Sequence, residues 1–252
     1  MPHGRPHRRS TTGPKPPADR TRHPAKVALW LVGGAIVIWG VMCLLGLLLT
    51  HVLEHSAFHH ADLGTNRWFV AHRDSPLNLV ATVGTDMAET VTVIAATAVL
   101  AGLLRWRTGR WYEAIVLLVS VVGEVAIFLG VTLIVPQRRP PVHRLDPAPP
   151  TSSYPSGHTG ASIALYCCLA LIVLWLYSDR GWATALAVVL FCVPVFVGLA
   201  RIYMGMHYPS DVLAGALLSS LWLSLVVTTF LPRKPVAQRL ARRSPRRALG
   251  HS

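Results

Sequence analysis

Six stretches of this chain are too long and too apolar to be soluble helices, and that limits the fold before any motif is read. The first, Val27–Thr50, runs through 24 residues without a charge. A helix needs about 20 residues to cross the hydrocarbon core of a bilayer, whereas the apolar core of a signal peptide has about 7–15. The segment therefore reads as a retained first span. Five more follow at Met87–Leu104, Trp111–Val135, Thr159–Tyr177, Trp182–Ala200 and Val212–Leu231. Inside lipid only helices and closed barrels satisfy their own backbone, and uninterrupted runs of this length select helices. The expected fold is an all-α integral membrane protein with six transmembrane helices. Trp30, Trp106, Trp111, Trp175 and Trp182 stand at or near span ends, where amphipathic rings favour the membrane interface.

Charge agrees with this reading. Only 14% of residues are charged, against about a quarter in soluble domains. Residues 1–26 carry a net +6 and residues 233–252 a net +7, so the tails hold the whole formal charge of +13 and the body, 27–232, is neutral. A nucleic-acid binder concentrates basic charge on a folded face; a neutral apolar body with two basic ends fits contact with anionic lipid instead. The three parts are read as a disordered basic tail (1–26), a six-helix membrane domain (27–232) and a second basic tail (233–252). With six spans both tails share one side, joined by Arg105, Arg107, Arg110 and Arg180. The positive-inside rule makes that side cytoplasmic, in the plasma membrane. Segments 136–158 and 201–211 then meet on the outer face. Cys43, Cys167, Cys168 and Cys192 all lie in apolar runs without a CxxC and read as small buried hydrophobes.

The polar residues of that outer face carry chemistry. PQRRPP (136–141) leaves the third span, PTSSYPSGHTG (150–160) enters the fourth, and ARIYMGMHYPSD (200–211) joins the fifth to the sixth. Ser156, Gly157 and His158 open a helix, whose free N–H groups and positive dipole end favour an anion. Gly157 lets a ligand approach the backbone. Arg139 and Arg201 each offer a fork of donors to phosphate oxygens. Asp211 follows His207 by four residues, a spacing that can set the carboxylate against one imidazole nitrogen and leave the other free to attack. His158 is a second imidazole, available to protonate a leaving oxygen. These groups suit phosphoryl transfer.

The pattern Arg139-Pro140, then Pro155-Ser156-Gly157-His158, then Arg201-x5-His207-x3-Asp211 resembles the three-part signature of the type 2 phosphatidic acid phosphatase family, which shares its site with vanadium-dependent haloperoxidases. The resemblance covers about half of the chain, from the third span onward. It implies that His207 takes the phosphoryl group as a phosphohistidine and that Asp211 orients it. His158 would protonate the leaving group and then activate water, while Arg139, Arg201, Ser156 and the Gly157 amide hold the phosphoryl oxygens. It implies no metal and no cofactor. The partners it implies are a membrane lipid phosphate, such as undecaprenyl pyrophosphate, phosphatidic acid or phosphatidylglycerol phosphate, and the bilayer itself. A lipid phosphotransferase or a vanadate-dependent haloperoxidase would use the same residues. Ala200 stands where the family often has Ser. The family's first motif usually begins with a Lys seven residues before the Arg, and here that position is Thr132; Arg138 is the candidate replacement charge.

Three features lie outside the signature. His51, His55 and His59 have i, i+4, i+8 spacing, which on one helix could make a metal face; a polar interfacial helix is the preferred reading. Glu124 lies within the third span, where an ionisable group is costly, and is expected to bond a neighbouring helix. Residues 52–86, with RWFVAHR inside them, read as an amphipathic segment on the outer surface or as a plain connector.

Overall fold

Each of the six apolar runs forms a helix in the computed structural model, which describes residues 24–147 and 151–231. Among the described residues the helices are α1 (Pro24–Val52), α2 (Ala57–Ala71), α3 (Ser75–Asp86), α4 (Thr90–Thr108), α5 (Tyr112–Thr132), α6 (Gly157–Tyr177), α7 (Gly181–Tyr203) and α8 (Pro209–Phe230). Helices α1 and α4–α8 are the six long enough and apolar enough to cross a membrane. The basic tails expected to be disordered lie almost wholly outside the described residues.

Helix α6 is the axis of the bundle. In its apolar window 61% of residues are buried, against 22% in α1 and in α4. It packs on α5, α7 and α8, while α1 closes against α5 and α8 and α4 against α5. Lipid cannot satisfy a polar group, so the polar atoms of the interior bond between helices. Trp222 Nε1 donates to the Ser120 carbonyl at 2.9 Å, with Gly123 leaving room for the indole ring. The backbone of α6 widens to a π-helix at Ile163–Cys167, a geometry that loosens the regular ladder, and there Ser120 Oγ donates to the Ala164 carbonyl at 2.8 Å. Glu124 finds the expected partner on a neighbouring helix, accepting from Ser219 Oγ at 3.3 Å.

The span ends depart from the sequence reading in ways that matter. The second span starts at Thr90, not Met87, because Met87–Glu89 form the turn out of α3. The fifth runs on to Tyr203, so Arg201 sits in the last turn of α7 rather than in a connection. The sixth begins at Pro209 and takes Asp211 into its first turn. Gly109, at φ 70°, ends α4 in the left-handed conformation that favours glycine. Cys192 is exposed on α7, whereas Cys43, Cys167 and Cys168 are buried as expected.

Residues 52–86 are neither a surface segment nor a plain connector. They form α2 and α3, which dock on α7 and α8. The sequence pattern hid this because the docking face is polar: α2 buries Asp62 and Asn66. The single helix on which a histidine face could have formed is not there either. Helix α1 ends at Val52 and α2 starts at Ala57, so His51, His55 and His59 do not share one helix.

A close approach ties α6 to α8. A Cβ at Gly215 would strike the backbone carbonyl of Ser156, and backbone cannot yield as a flexible side chain can. Gly215→Ala should therefore lower the unfolding midpoint in detergent, at a cost of about 1–3 kcal/mol. Gly33→Ala on α1 meets open space and should leave the midpoint unchanged.

Candidate active site

The C-terminal ends of α5 and α7 and the N-terminal ends of α6 and α8 lie at the same end of the bundle, and the chain segments between them are stitched together. Ser153 N donates to the Gln137 carbonyl at 2.9 Å, joining the loop after α5 to the entrance of α6. Arg139 Nη1 donates to the Met206 carbonyl at 2.8 Å, joining the same loop to the α7–α8 turn. Ser156 N donates to the Asp211 carbonyl at 2.9 Å, setting the two helix N-termini side by side. Gly205, at φ 72°, makes the turn after α7; a Cβ there would also crowd Val142 and the His143 carbonyl.

His207 is 4% exposed. Its Nδ1 lies 2.8 Å from the Ser153 carbonyl. A carbonyl can only accept, so Nδ1 carries the hydrogen and Nε2 keeps its lone pair. Asp211 does not fix this tautomer directly, contrary to what the four-residue spacing suggested: its Oδ2 stands 3.8 Å from Nδ1, too far for a hydrogen bond. That oxygen instead accepts from Ser153 Oγ at 2.5 Å and from Tyr208 N at 3.0 Å. The carboxylate thus acts on the ring through space and through Ser153. Burial first, and then the charges of Arg201 and Arg139, push the His207 imidazole below its ordinary pKa against the opposing pull of Asp211.

Of the two arginines Arg201 is buried and Arg139 half-buried. Arg201 is 2% exposed and donates from Nη1 to Asp146 Oδ2 at 2.9 Å. Burial and the neighbouring Arg201 charge push the Arg139 guanidinium below its usual value. Both His158 and His207 feel the charges of Arg139 and Arg201. Ser156 caps α6: its Oγ accepts from Thr159 N at 3.5 Å and from Thr159 Oγ1 at 3.0 Å. A side chain on Gly157 would collide with the Phe128 ring. His158, in the first turn of α6, turns Nε2 to within 3.4 Å of Glu89 Oε2, without the alignment of a hydrogen bond.

Four polar atoms of this cluster are buried and without a hydrogen-bond partner: Arg139 Nε, Arg201 Nε, His158 Nε2 and Asp211 Oδ1. Native interiors leave few such groups. Two guanidinium donors orphaned beside an open helix N-terminus suit an anion with several oxygens.

The structure thus brings Arg139, Ser156, Gly157, His158, Arg201, His207 and Asp211 to one end of the bundle. Arg138 stays apart and exposed. Arg144 is exposed too, and its field reaches Arg139. Thr132 turns its hydroxyl back to the Leu129 carbonyl at 2.9 Å. Sequence reasoning missed Ser153, although it lies in the quoted PTSSYPSGHTG stretch, and gave no signal at all for the α2–α3 unit. From α2, Asn66 Nδ2 donates to the His207 carbonyl at 3.0 Å and Asp62 accepts from Ser210 N at 3.0 Å, capping α8 from outside. Just beyond α2, Arg73 binds the Tyr203 carbonyl at the end of α7 through Nε at 3.0 Å and the His143 carbonyl through Nη1 at 2.8 Å.

Comparison with known proteins agrees with this geometry. An undecaprenyl-diphosphatase from Sulfolobus acidocaldarius is 36% identical over 111 residues, which is 42% of this chain and 47% of that protein. The bacitracin transport permease protein BcrC of Bacillus licheniformis is 36% identical over 80 residues, 31% of this chain and 32% of its own length. The chain thus spans less than half the length of these curated relatives. Among solved structures, the transmembrane PAP2-type phosphatidylglycerolphosphate phosphatase of Bacillus subtilis superposes with a TM-score of 0.67 over 84% of this chain and 97% of that one, at 19% identity, a likeness of fold. The sequence matches the PAP2 superfamily over residues 92–235, from early in α4 to beyond α8. That is more than half of the chain and includes every residue of the cluster but Asn66, Asp62, Arg73 and Glu89, and the protein belongs to the PAP2 superfamily.

Proposed function

We propose that the protein hydrolyses a phosphomonoester or pyrophosphate on a membrane lipid through a phosphohistidine at His207. Undecaprenyl pyrophosphate, phosphatidic acid and phosphatidylglycerol phosphate are the leading substrates. The observation that carries this reading is the buried Arg201 and the half-buried Arg139, each with a buried, orphaned Nε, set beside an imidazole whose Nδ1 is committed to a carbonyl. The names of the relatives support it as well: an undecaprenyl-diphosphatase in one case and a phosphatidylglycerolphosphate phosphatase in another.

In this mechanism Arg139, Arg201 and the α6 N-terminus bind the phosphoryl oxygens and stabilise the charge that spreads over them in the transition state. His207 Nε2 attacks phosphorus. The N–P bond forms as the bond to the leaving oxygen breaks, and that oxygen takes the proton of His158. Asp211 offsets the positive charge that develops on His207. In the second half water attacks phosphorus and gives its proton to His158, the N–P bond breaks, and phosphate leaves. Because the site lies at the ends of the spans, the head group reaches it while the lipid tail stays in the hydrocarbon. The cations of the mechanism are arginines.

Four outcomes are expected. Phosphate release from a panel of lipid phosphates should persist in EDTA and fall at least 100-fold in His207→Ala and His158→Ala, in line with the ~10²–10⁴-fold worth of acid–base groups. Acid-labile, base-stable label should be trapped on the parent and not on His207→Ala. Full activity in both variants, or dependence on added metal, would end the proposal. Since burial holds His207 neutral below the ordinary imidazole range, the acid limb of kcat/KM set by this group should fall below about pH 6.5; a pH-rate profile checks this. Ser153→Ala should lower kcat about tenfold with a smaller change in KM, because Asp211 loses a charge-assisted bond worth roughly 1.5 kcal/mol; steady-state kinetics separates the two constants.

A further inference from the structure

Glu89 lies outside all three signature segments, at the N-cap of α4, yet its carboxylate is aimed at the cluster. An N-cap acid ordinarily turns its side chain to the free N–H groups of its own helix; Glu89 makes no such bond. Its Oε2 stands 3.4 Å from His158 Nε2 instead. The field of the carboxylate also reaches Arg201.

The setting of His158 explains what a carboxylate could do there. The charged and titratable groups that face this imidazole are Arg139 from the loop after α5, Arg201 from the end of α7, His207 from the turn before α8, and Glu89 from the start of α4. Two of these are fixed cations and one is a second imidazole. A general acid must carry a proton when the substrate arrives. Among these neighbours only Glu89 brings a negative charge. Its side chain is 50% exposed against 22% for His158, so the carboxylate stands partly in water while reaching a buried nitrogen.

We infer that Glu89 is a positioning residue that acts through His158, holding the imidazole in its protonated form and orienting Nε2 until the leaving oxygen takes the proton. No bond to Glu89 forms or breaks. The inference rests on the phosphatase reading given above. It goes beyond that reading by adding a residue from a helix the signature does not touch.

The test compares two leaving groups. The glycerol oxygen of phosphatidic acid needs a proton to depart, whereas the aryloxide of p-nitrophenyl phosphate departs without one. In detergent micelles, Glu89→Gln should move the alkaline limb of the pH profile for phosphatidic acid about one unit toward acid. On the alkaline side kcat should drop about tenfold, the effect of removing one nearby opposite charge. Turnover of p-nitrophenyl phosphate should change less than about twofold. Glu89→Asp keeps the charge and should recover part of the loss. In a His158→Ala background Glu89→Gln should add nothing.

Equal losses on both substrates, an unmoved alkaline limb, or a further loss in the His158→Ala background would each overturn the role of Glu89 and leave the phosphatase reading standing. A parent that releases phosphate from neither these substrates nor the lipid panel would instead overturn the phosphatase reading, and this inference with it.

Discussion

A buried guanidinium, Arg201, with a half-buried one, Arg139, beside it at one end of an apolar bundle, is the constraint around which the rest of the structure is arranged. A buried charge must be paired and hydrogen-bonded or the fold bears its desolvation. Arg201 is paired to Asp146 through one terminal nitrogen, and Arg139 is bonded to the Met206 carbonyl. Each still keeps an unanswered Nε. The bundle tolerates these orphaned donors because the surrounding scaffold leaves them no other partner to turn to. An anion with several oxygens could supply what the protein withholds, which is why the arrangement reads as a binding site and not as a structural ion-pair network.

The scaffold that maintains this state is built from backbone. The α6 and α8 N-termini are bonded to each other through Ser156 N and the Asp211 carbonyl, and the glycine at 215 lets them come close. The backbone around His207 is gripped from two sides, by Ser153 on the ring and by Asn66 on the carbonyl. Arg73 caps the end of α7 and reaches into the loop that bears Asp146. Placing reactive groups on the rigid ends of spans, and supporting them from a second layer of helices, limits how far they can drift from a working geometry.

Much of this was legible in the sequence, and for definite reasons. Hydrocarbon demands long apolar runs, so six helices could be counted from hydropathy alone. The segments bearing Arg139, Ser156–His158 and Arg201–Asp211 could be placed on one face by counting spans and charges. What failed was whatever depended on distances across the bundle. The i, i+4 spacing of His207 and Asp211 suggested a direct bond, but the loop before α8 gives the imidazole to the Ser153 carbonyl and leaves Asp211 3.8 Å away. Arg138 was the candidate replacement charge in sequence; both it and Arg144 are exposed, and it is the field of Arg144 that reaches Arg139. Residues 52–86 read as an amphipathic segment or a connector, but their docking on α7 and α8 was not legible, because α2 buries the polar Asp62 and Asn66 and α3 only the small Ala81, Gly84 and Thr85.

By itself, then, the sequence determined the solvent of this protein, the number of its spans and the chemical character of its signature residues, because those follow from composition and local order. Only the tertiary structure decided which ring nitrogen of His207 carries the hydrogen, which carboxylate answers which cation, and that Glu89, far from His158 in the chain, stands 3.4 Å from its Nε2. Those outcomes depend on how helix ends meet, and a contact between helix ends is set by packing across the whole bundle, which no local pattern encodes.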